Sequence, residues 1–317
     1  MSRLEVAVVN NMPDPALQST ERQFRELITA AAGDRELGIH LFSFPELIRG
    51  PEGRAYVAER YEPIENLWSG RFDGLVVTGA EPRTDVISDE VYWNSLTRLI
   101  DWASDHSIST IWSCLAAHAA VLHLDGVERQ RYASKLHGVF ACTRSADHPL
   151  FAGLPRTWGF PHSRLNTLPS DRLSATGYEI VSASSDAGAD AFVKERGSLF
   201  LFLQGHPEYD PGALYREYRR DVGRYLAGTV ERYPAMPRNY FDAETTRVLE
   251  QFRARAERDR RPELLDEFPA VDSKRIAHSW RAAAVRLYSN WLDYLATHRS
   301  ATPDRVALGD AAVVRSR

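Results

Sequence analysis

The chain has 317 residues, 44% of them hydrophobic and 26% charged, which is the composition of an ordinary globular protein and excludes a disordered, collagenous or coiled-coil one. Its net charge of −4 excludes the polybasic footprint of a protein that binds nucleic acid or an anionic membrane, and no run of about 18 apolar residues predicts a membrane span. The two cysteines exclude a disulfide framework and a four-cysteine zinc site, and the first residues lack the apolar core of a signal peptide, so we expect a cytoplasmic protein.

Strand and helix signals alternate over the first part of the chain. Short β-branched runs with few charges predict buried strands, at residues 4–10, 38–44, 73–80 and 108–112. Apolar residues at helical spacing predict helices between and after them, at about 16–33, 89–104 and 115–124. Residues 46–70 are rich in Pro, Gly, Arg and Glu, and we expect a surface excursion there. This alternation predicts an α/β fold with a mostly parallel sheet flanked by helices.

The second part of the chain is more irregular. Residues 130–200 predict a partly antiparallel region that ends in a hairpin over 191–203, turned at Arg196-Gly197. A helix at about 211–227 and a proline-containing loop at 228–241 follow, and the final third is predicted to be helical. Its long amphipathic segment, 274–298, packs on the sheet or forms a dimer seam, and the tail after residue 300 is expected to fray.

The sharpest local signal is a cysteine at the junction of an apolar strand and a helix, in Ile111-Trp112-Ser113-Cys114-Leu115. Hydrolases with a nucleophile elbow carry serine at such a junction, where the turn lifts the side chain above the sheet. A helix N-terminus stabilises a thiolate, and its backbone N–H groups point at the same place. The alternative is a buried cysteine that acts as a small hydrophobic side chain.

A second junction carries a histidine and a glutamate, in Leu203-Gln204-Gly205-His206-Pro207-Glu208. A thiol nucleophile needs a base within hydrogen-bond reach, and that base needs a third group to hold its tautomer. His206 and Glu208 supply both if their strand lies beside the one that ends at Cys114. A turn histidine beside a solvated glutamate is the alternative, but the two junctions together favour a Cys-His-Glu triad. We interpret His118 as helix-face packing and Cys142 as an inert thiol.

Over roughly residues 6–297 the chain resembles the homoserine O-acyltransferases of the homoserine O-succinyltransferase type. Matching stretches, in order, are Asn11-Met12-Pro13, residues 20–24, residues 72–80, Val91-Tyr92-Trp93, residues 135–139, Pro161-His162-Ser163-Arg164, residues 205–210, Ser279-Trp280-Arg281 and residues 290–294. The resemblance implies the fold of class I glutamine amidotransferases. It also implies a catalytic domain over 1–240, a helical extension over 241–300 packed on that domain, and a tail over 301–317.

The resemblance implies an acyl-CoA-dependent transfer of an acyl group to the hydroxyl of L-homoserine, with ping-pong kinetics. Cys114 would carry the acyl group as a thioester. His206 would deprotonate the thiol and later the acceptor hydroxyl, and Glu208 would orient His206. The backbone N–H of Leu115, with one from another loop, would form the oxyanion hole. No metal and no bound cofactor are expected, acyl-CoA is a co-substrate, and a homodimer is possible.

Four further residues match family positions that concern the amino-acid substrate. Lys135 and Arg220 match substrate contacts, Ser163 matches a position linked to substrate choice, and Arg164 is its neighbour. These residue types suit an amino acid, because arginine can grip its carboxylate with two hydrogen bonds. The alternatives are a surface location for Lys135 and a helix-face ion pair for Arg220.

The choice of acyl donor depends on Arg83. In the family, glycine at the matching position goes with succinyl-CoA and glutamate with acetyl-CoA, and this chain has neither. The positive charge of Arg83 can pair with a succinyl carboxylate, which favours succinyl over acetyl, or it can point to solvent.

Three other functions remain open. An acyltransferase of the same family could use another hydroxy amino acid, such as serine. A glutamine amidotransferase-like hydrolase usually has small glycines beside its cysteine, whereas Ser113 and Leu115 flank Cys114 here. A regulatory module that keeps the fold would not need Cys114, His206 and Glu208 together.

Overall fold

The computed structural model describes residues 3–299, so the predicted tail 301–317 lies outside the described residues. Its strands are β1 (Leu4–Val9), β2 (Leu37–Phe42), β3 (Gly74–Val77), β4 (Ser109–Ser113), β5 (Gln130–Arg144), β6 (Thr157–Thr167), β7 (Glu179–Ser184), β8 (Gly188–Glu195) and β9 (Leu199–Leu203). All nine form one sheet in the order β2-β1-β3-β4-β9-β8-β7-β5-β6. The first five strands in this order, from β2 through β9, are parallel to one another. The pairs that follow, from β9-β8 to β5-β6, are antiparallel.

The helices in the same part of the chain are α1 (Asp14–Ala32), α2 (Pro51–Arg60), α3 (Ile64–Ser69), α4 (Trp93–His106), α5 (Leu115–Asp125), α6 (Ser170–Ala175), α7 (Ala213–Leu226), α8 (Ala243–Arg258) and α9 (Arg281–Arg299). None of these described helices combines the length and the apolar character that a membrane crossing needs.

The four central parallel strands, β1, β3, β4 and β9, are almost entirely buried because both faces of the sheet are covered. Along β1, Val8 packs in one hydrophobic core and Val9 in the other, on the opposite face. Along β4, Ile111 packs in the same core as Val8, and Trp112 packs in the same core as Val9. Successive side chains of a strand point to opposite faces, so a strand covered on both sides reads as a continuous apolar run. The predicted α/β architecture is therefore confirmed.

Residues 46–70 form more structure than their composition predicts. The prolines and glycines suggested a surface excursion without naming its structure, and α2 and α3 form there. Pro51 is the first residue of α2, a position where proline is favoured because no backbone N–H is needed. In α2 only Gly53 is buried, so this helix has no apolar periodicity that would mark it in the sequence.

The C-terminal helix α9 packs on the sheet, which was one of its two predicted locations. It contacts α1 and β1, and the Trp291 indole N–H donates to Ser109 Oγ at 3.0 Å. Gly74 permits this packing, because a Cβ there would lie 2.6 Å from atoms of Trp291 and Leu295. The helix begins at Arg281 rather than near residue 274, since a turn precedes it.

Candidate active site

Cys114 lies at a strained turn between β4 and α5. Its φ of 50° and ψ of −111° belong to a region that residues with a side chain avoid, at a cost of about 1–3 kcal/mol. The Cys114 N–H donates to the carbonyl of Leu203 at 2.7 Å, which ties the turn to the end of β9. The cysteine is partly exposed. A strained, accessible turn at the carboxyl end of a central strand is the geometry of a nucleophile elbow.

His206 and Glu208 follow the strand beside Cys114. β4 and β9 are parallel neighbours, with Ser113 opposite Leu203, so both junctions reach the same edge of the sheet. His206 Nδ1 lies 2.8 Å from Glu208 Oε1, and the Cys114 side chain acts electrostatically on the same ring. The thiol, the imidazole and the carboxylate are therefore grouped at this edge of the sheet.

The charges around His206 favour its protonated form. Burial alone would lower the pKa of His206, but the Glu208 carboxylate and the Cys114 side chain raise it well above its ordinary value. Glu208 is 4% exposed, so little water competes for the imidazole. The ring is thus suited to accept a proton from a thiol.

The backbone of Gly79 approaches the N-terminus of α5 beside Cys114. A Cβ at Gly79 would lie 3.1 Å from the Leu115 nitrogen, which is too close for most side chains. The Leu115 N–H belongs to the first turn of α5, where backbone donors have no partner inside the helix. The loop after β3 and this N–H together can accommodate a negatively charged oxygen.

Lys135 and Ser163 meet at a half-buried glutamate, Glu217, that the sequence analysis missed. Lys135 Nζ lies 3.2 Å from Glu217 Oε2, and the Ser163 hydroxyl donates to the same oxygen. Burial alone would raise the pKa of Glu217, but Lys135 outweighs burial and lowers it to about 2. The available signal was helical spacing, because Glu217 lies three residues before Arg220 on α7.

Arg220 joins this group through an acidic neighbour. Asp221 accepts from Lys135 at 2.7 Å and pairs with Arg220 at 3.0 Å. The Arg220 side chain is 43% exposed, whereas that of Lys135 is 24% exposed. Lys135 is therefore not a simple surface lysine, and Arg220 forms the ion pair considered above while it remains accessible.

Arg164 and Arg83 have opposite surroundings. Arg164 is buried and donates to the carbonyls of Asn166 and Ala187. Arg83 is exposed, and its backbone N–H donates to Glu90 Oε1 at 2.7 Å. The position of Arg83 agrees with the solvent-facing alternative, and the guanidinium of Arg164 is already engaged by the protein.

His118 and Cys142 are both buried and therefore inaccessible to a substrate. His118 Nε2 lies 2.9 Å from Gln204 Oε1, and burial lowers its pKa to about 3, so it is neutral. Burial raises the pKa of Cys142.

The ligand atoms of Cys142, His162 and Asp190 lie within 4.8 Å of one another, close enough for a metal ion. The Arg164 Nε is hydrogen-bonded to His162, however, and its positive charge disfavours a cation there.

The chain is similar to curated proteins of one family over nearly its whole length. A model of the family described as "Homoserine O-succinyltransferase" matches residues 1–302. Among curated proteins of that name, one from Rhodopseudomonas palustris is 45% identical over 93% of this chain and 89% of its own length. Another, from Bradyrhizobium japonicum, is 46% identical over 92% of this chain and 90% of its own length.

Solved structures of glutamine amidotransferases share the fold. One from Thermotoga maritima is 14% identical, with a TM-score of 0.50 over 93% of this chain and 99% of that one. One from Methylobacillus flagellatus is also 14% identical, with a TM-score of 0.50 over 93% of this chain and 95% of that one. The amidotransferase-like fold that the resemblance implied is confirmed.

Proposed function

The chain belongs to the homoserine O-succinyltransferase family, and from that membership and the geometry at Cys114 we propose an acyl-CoA-dependent O-acyltransferase that acts on L-homoserine. Succinyl-CoA is the favoured donor over acetyl-CoA. The observation that carries the proposal is the strained turn at Cys114, at the end of the strand beside the one that leads to the hydrogen-bonded His206–Glu208 pair.

The first half-reaction loads the acyl group onto the enzyme. His206 takes the thiol proton, and the Cys114 sulfur attacks the thioester carbonyl of the donor. The carbonyl oxygen becomes negative and is stabilised by the Leu115 N–H with a donor from the loop at Gly79. The bond to the CoA sulfur then breaks, CoA leaves with the proton from His206, and an acyl group remains on Cys114.

The second half-reaction transfers the acyl group to the acceptor. His206 takes the proton of the acceptor hydroxyl, whose oxygen attacks the carbonyl of the Cys114 thioester. The carbon–sulfur bond breaks, the ester is released, and the Cys114 sulfur regains a proton from His206. Because CoA leaves before the acceptor reacts, the kinetics are ping-pong.

The cluster of charged side chains around Glu217 and Asp221 suits an amino-acid acceptor. The accessible guanidinium of Arg220 can bind the acceptor carboxylate with two hydrogen bonds. Lys135 and Ser163, both fixed by Glu217, line the same region and are assigned to acceptor recognition. Arg164 supplies a fixed positive charge, and Arg83, on the loop after β3, is assigned to the donor side.

A matrix of two donors and two acceptors tests the function. Purified protein is incubated with succinyl-CoA or acetyl-CoA and with L-homoserine or L-serine, and ester and free CoA are quantified. The proposal predicts O-succinylhomoserine as the fastest product. Faster ester formation on serine would assign the enzyme to another acceptor, and CoA release without any ester would contradict acyl transfer.

A further inference from the structure

Two arginines act electrostatically on Cys114, but only Arg164 has a hydrogen bond from each of its guanidinium nitrogens. Arg164 donates to two carbonyls and to His162. Arg129, between α5 and β5, has one hydrogen bond, from Nη2 to the carbonyl of Asp85 at 3.0 Å. Its Nη1 is buried and has no partner among residues 3–299.

Arg129 is held beneath the loop that follows β3. Glu90, which is 4% exposed, organises this loop by accepting the backbone N–H groups of Arg83 and Thr84 at 2.7 Å and 2.9 Å. The Asp85 carbonyl of the same loop fixes one side of the Arg129 guanidinium. The guanidinium therefore contacts the same loop whose Gly79 approaches the N-terminus of α5 beside Cys114.

The positive charge of Arg129 is not neutralised at close range. No carboxylate oxygen in the described part of the chain lies within 4.0 Å of its guanidinium, although Glu90 and Tyr92 act on it from farther away. Burial lowers the pKa of Arg129, yet a guanidinium stays charged at neutral pH. A buried N–H without a partner is unfavourable, so Nη1 can bind an acceptor that the described residues do not supply.

We propose that Arg129 binds the terminal carboxylate of a dicarboxylic acyl group on Cys114 and thereby selects succinyl over acetyl. This inference rests on the proposed function and deepens it. A succinyl group ends in a carboxylate, which can accept hydrogen bonds from Nη1. An acetyl group ends in a methyl group and leaves that N–H unpaired. Sites built to bond a polar group discriminate strongly against analogues that lack it.

The test measures kcat/KM for succinyl-CoA and for acetyl-CoA in wild type, Arg129→Gln, Arg129→Lys and Arg83→Gln. Arg129→Gln should lower the succinyl-to-acetyl ratio at least about tenfold, the scale of one lost hydrogen bond to a charged group. Arg129→Lys keeps the charge without the planar fork, so its ratio should fall between those of wild type and Arg129→Gln. Thermal melting monitors folding, and acetyl-CoA should still acylate Cys114 in the two Arg129 variants.

Several outcomes would overturn the assignment. An unchanged ratio in folded Arg129→Gln contradicts it, and if that variant does not fold, an unchanged ratio in Arg129→Lys does the same. A ratio that collapses in Arg83→Gln alone assigns donor choice to Arg83. A wild-type enzyme that prefers acetyl-CoA overturns this inference but leaves acyl transfer intact, whereas no acylation by either donor defeats the proposed function itself.

Discussion

Tyr209 stacks on the ring of His206, with ring centroids 4.3 Å apart and an angle of 18° between the planes. The Tyr209 hydroxyl donates to Glu217 at 2.6 Å, and Glu217 in turn accepts from Lys135 and Ser163. One aromatic ring thus connects the imidazole of the triad with the residues assigned to the acceptor. The proposed base and the proposed acceptor site are therefore positioned by the same contacts.

Glu208→Gln should lower kcat by about 10²–10⁴-fold, the range in which a triad loses activity when its orienting carboxylate is replaced by an amide. The amide cannot stabilise the imidazolium, and the pKa of His206 should fall because burial then dominates. Steady-state kinetics with succinyl-CoA and homoserine measure the effect. Glu195→Gln, at an exposed glutamate that ends β8, is the matched control and should retain wild-type kcat. A similar kcat in both variants would remove Glu208 from the triad.

Arg220→Gln should raise the KM for the acceptor with little effect on acylation by the donor. Removal of a hydrogen bond between charged groups costs about 1.5–3 kcal/mol, which corresponds to a roughly ten- to hundredfold rise. Arg219→Gln changes an exposed arginine next to it on α7 and serves as the control. The assignment fails if both variants show the acceptor KM of the wild type.

Glu217→Gln should lower the free energy of unfolding at neutral pH more than at acidic pH. The folded pKa of Glu217 is about 2, below its ordinary value of 4.5, so its ionised form stabilises the fold above pH 4.5 and this contribution is lost as the pH falls towards 2. A shift of this size corresponds to about 2–4 kcal/mol at pH 7. Urea unfolding of both proteins at pH 7 and pH 3 measures the difference, and an equal difference at the two pH values would contradict the prediction.

The parallel half of the sheet could be predicted because its buried strands are visible in the sequence as short runs of mostly apolar residues. Residues of β1, β3 and β9 are almost all apolar, as expected of strands covered on both faces, and β4 has Ile111 and Trp112 among buried serine and threonine residues. The junctions at Cys114 and His206 were visible because each follows such a strand. The helix α2 was missed because it buries only Gly53 and packs only Tyr56 and Val57, two successive residues, against the core.

The contacts of Glu217 and Arg129 could not be predicted, because they join distant parts of the chain. Glu217 meets Lys135 across 82 positions, and Arg129 meets Asp85 across 44. Periodicity reports on neighbours along one element and carries no information about such pairs. A glutamate on α7 and an arginine after α5 look like ordinary surface charges until the strands bring the loops together.

The identity of the nucleophile is tested most directly by the mass of the protein after brief exposure to succinyl-CoA without acceptor. One added succinyl group on Cys114, located by peptide mapping, lost in Cys114→Ala and discharged by homoserine, is the predicted result. Cys142→Ala, which changes the fully buried cysteine, should still be acylated. An unmodified Cys114 in the wild type, or an acyl group that persists in Cys114→Ala, would contradict the account.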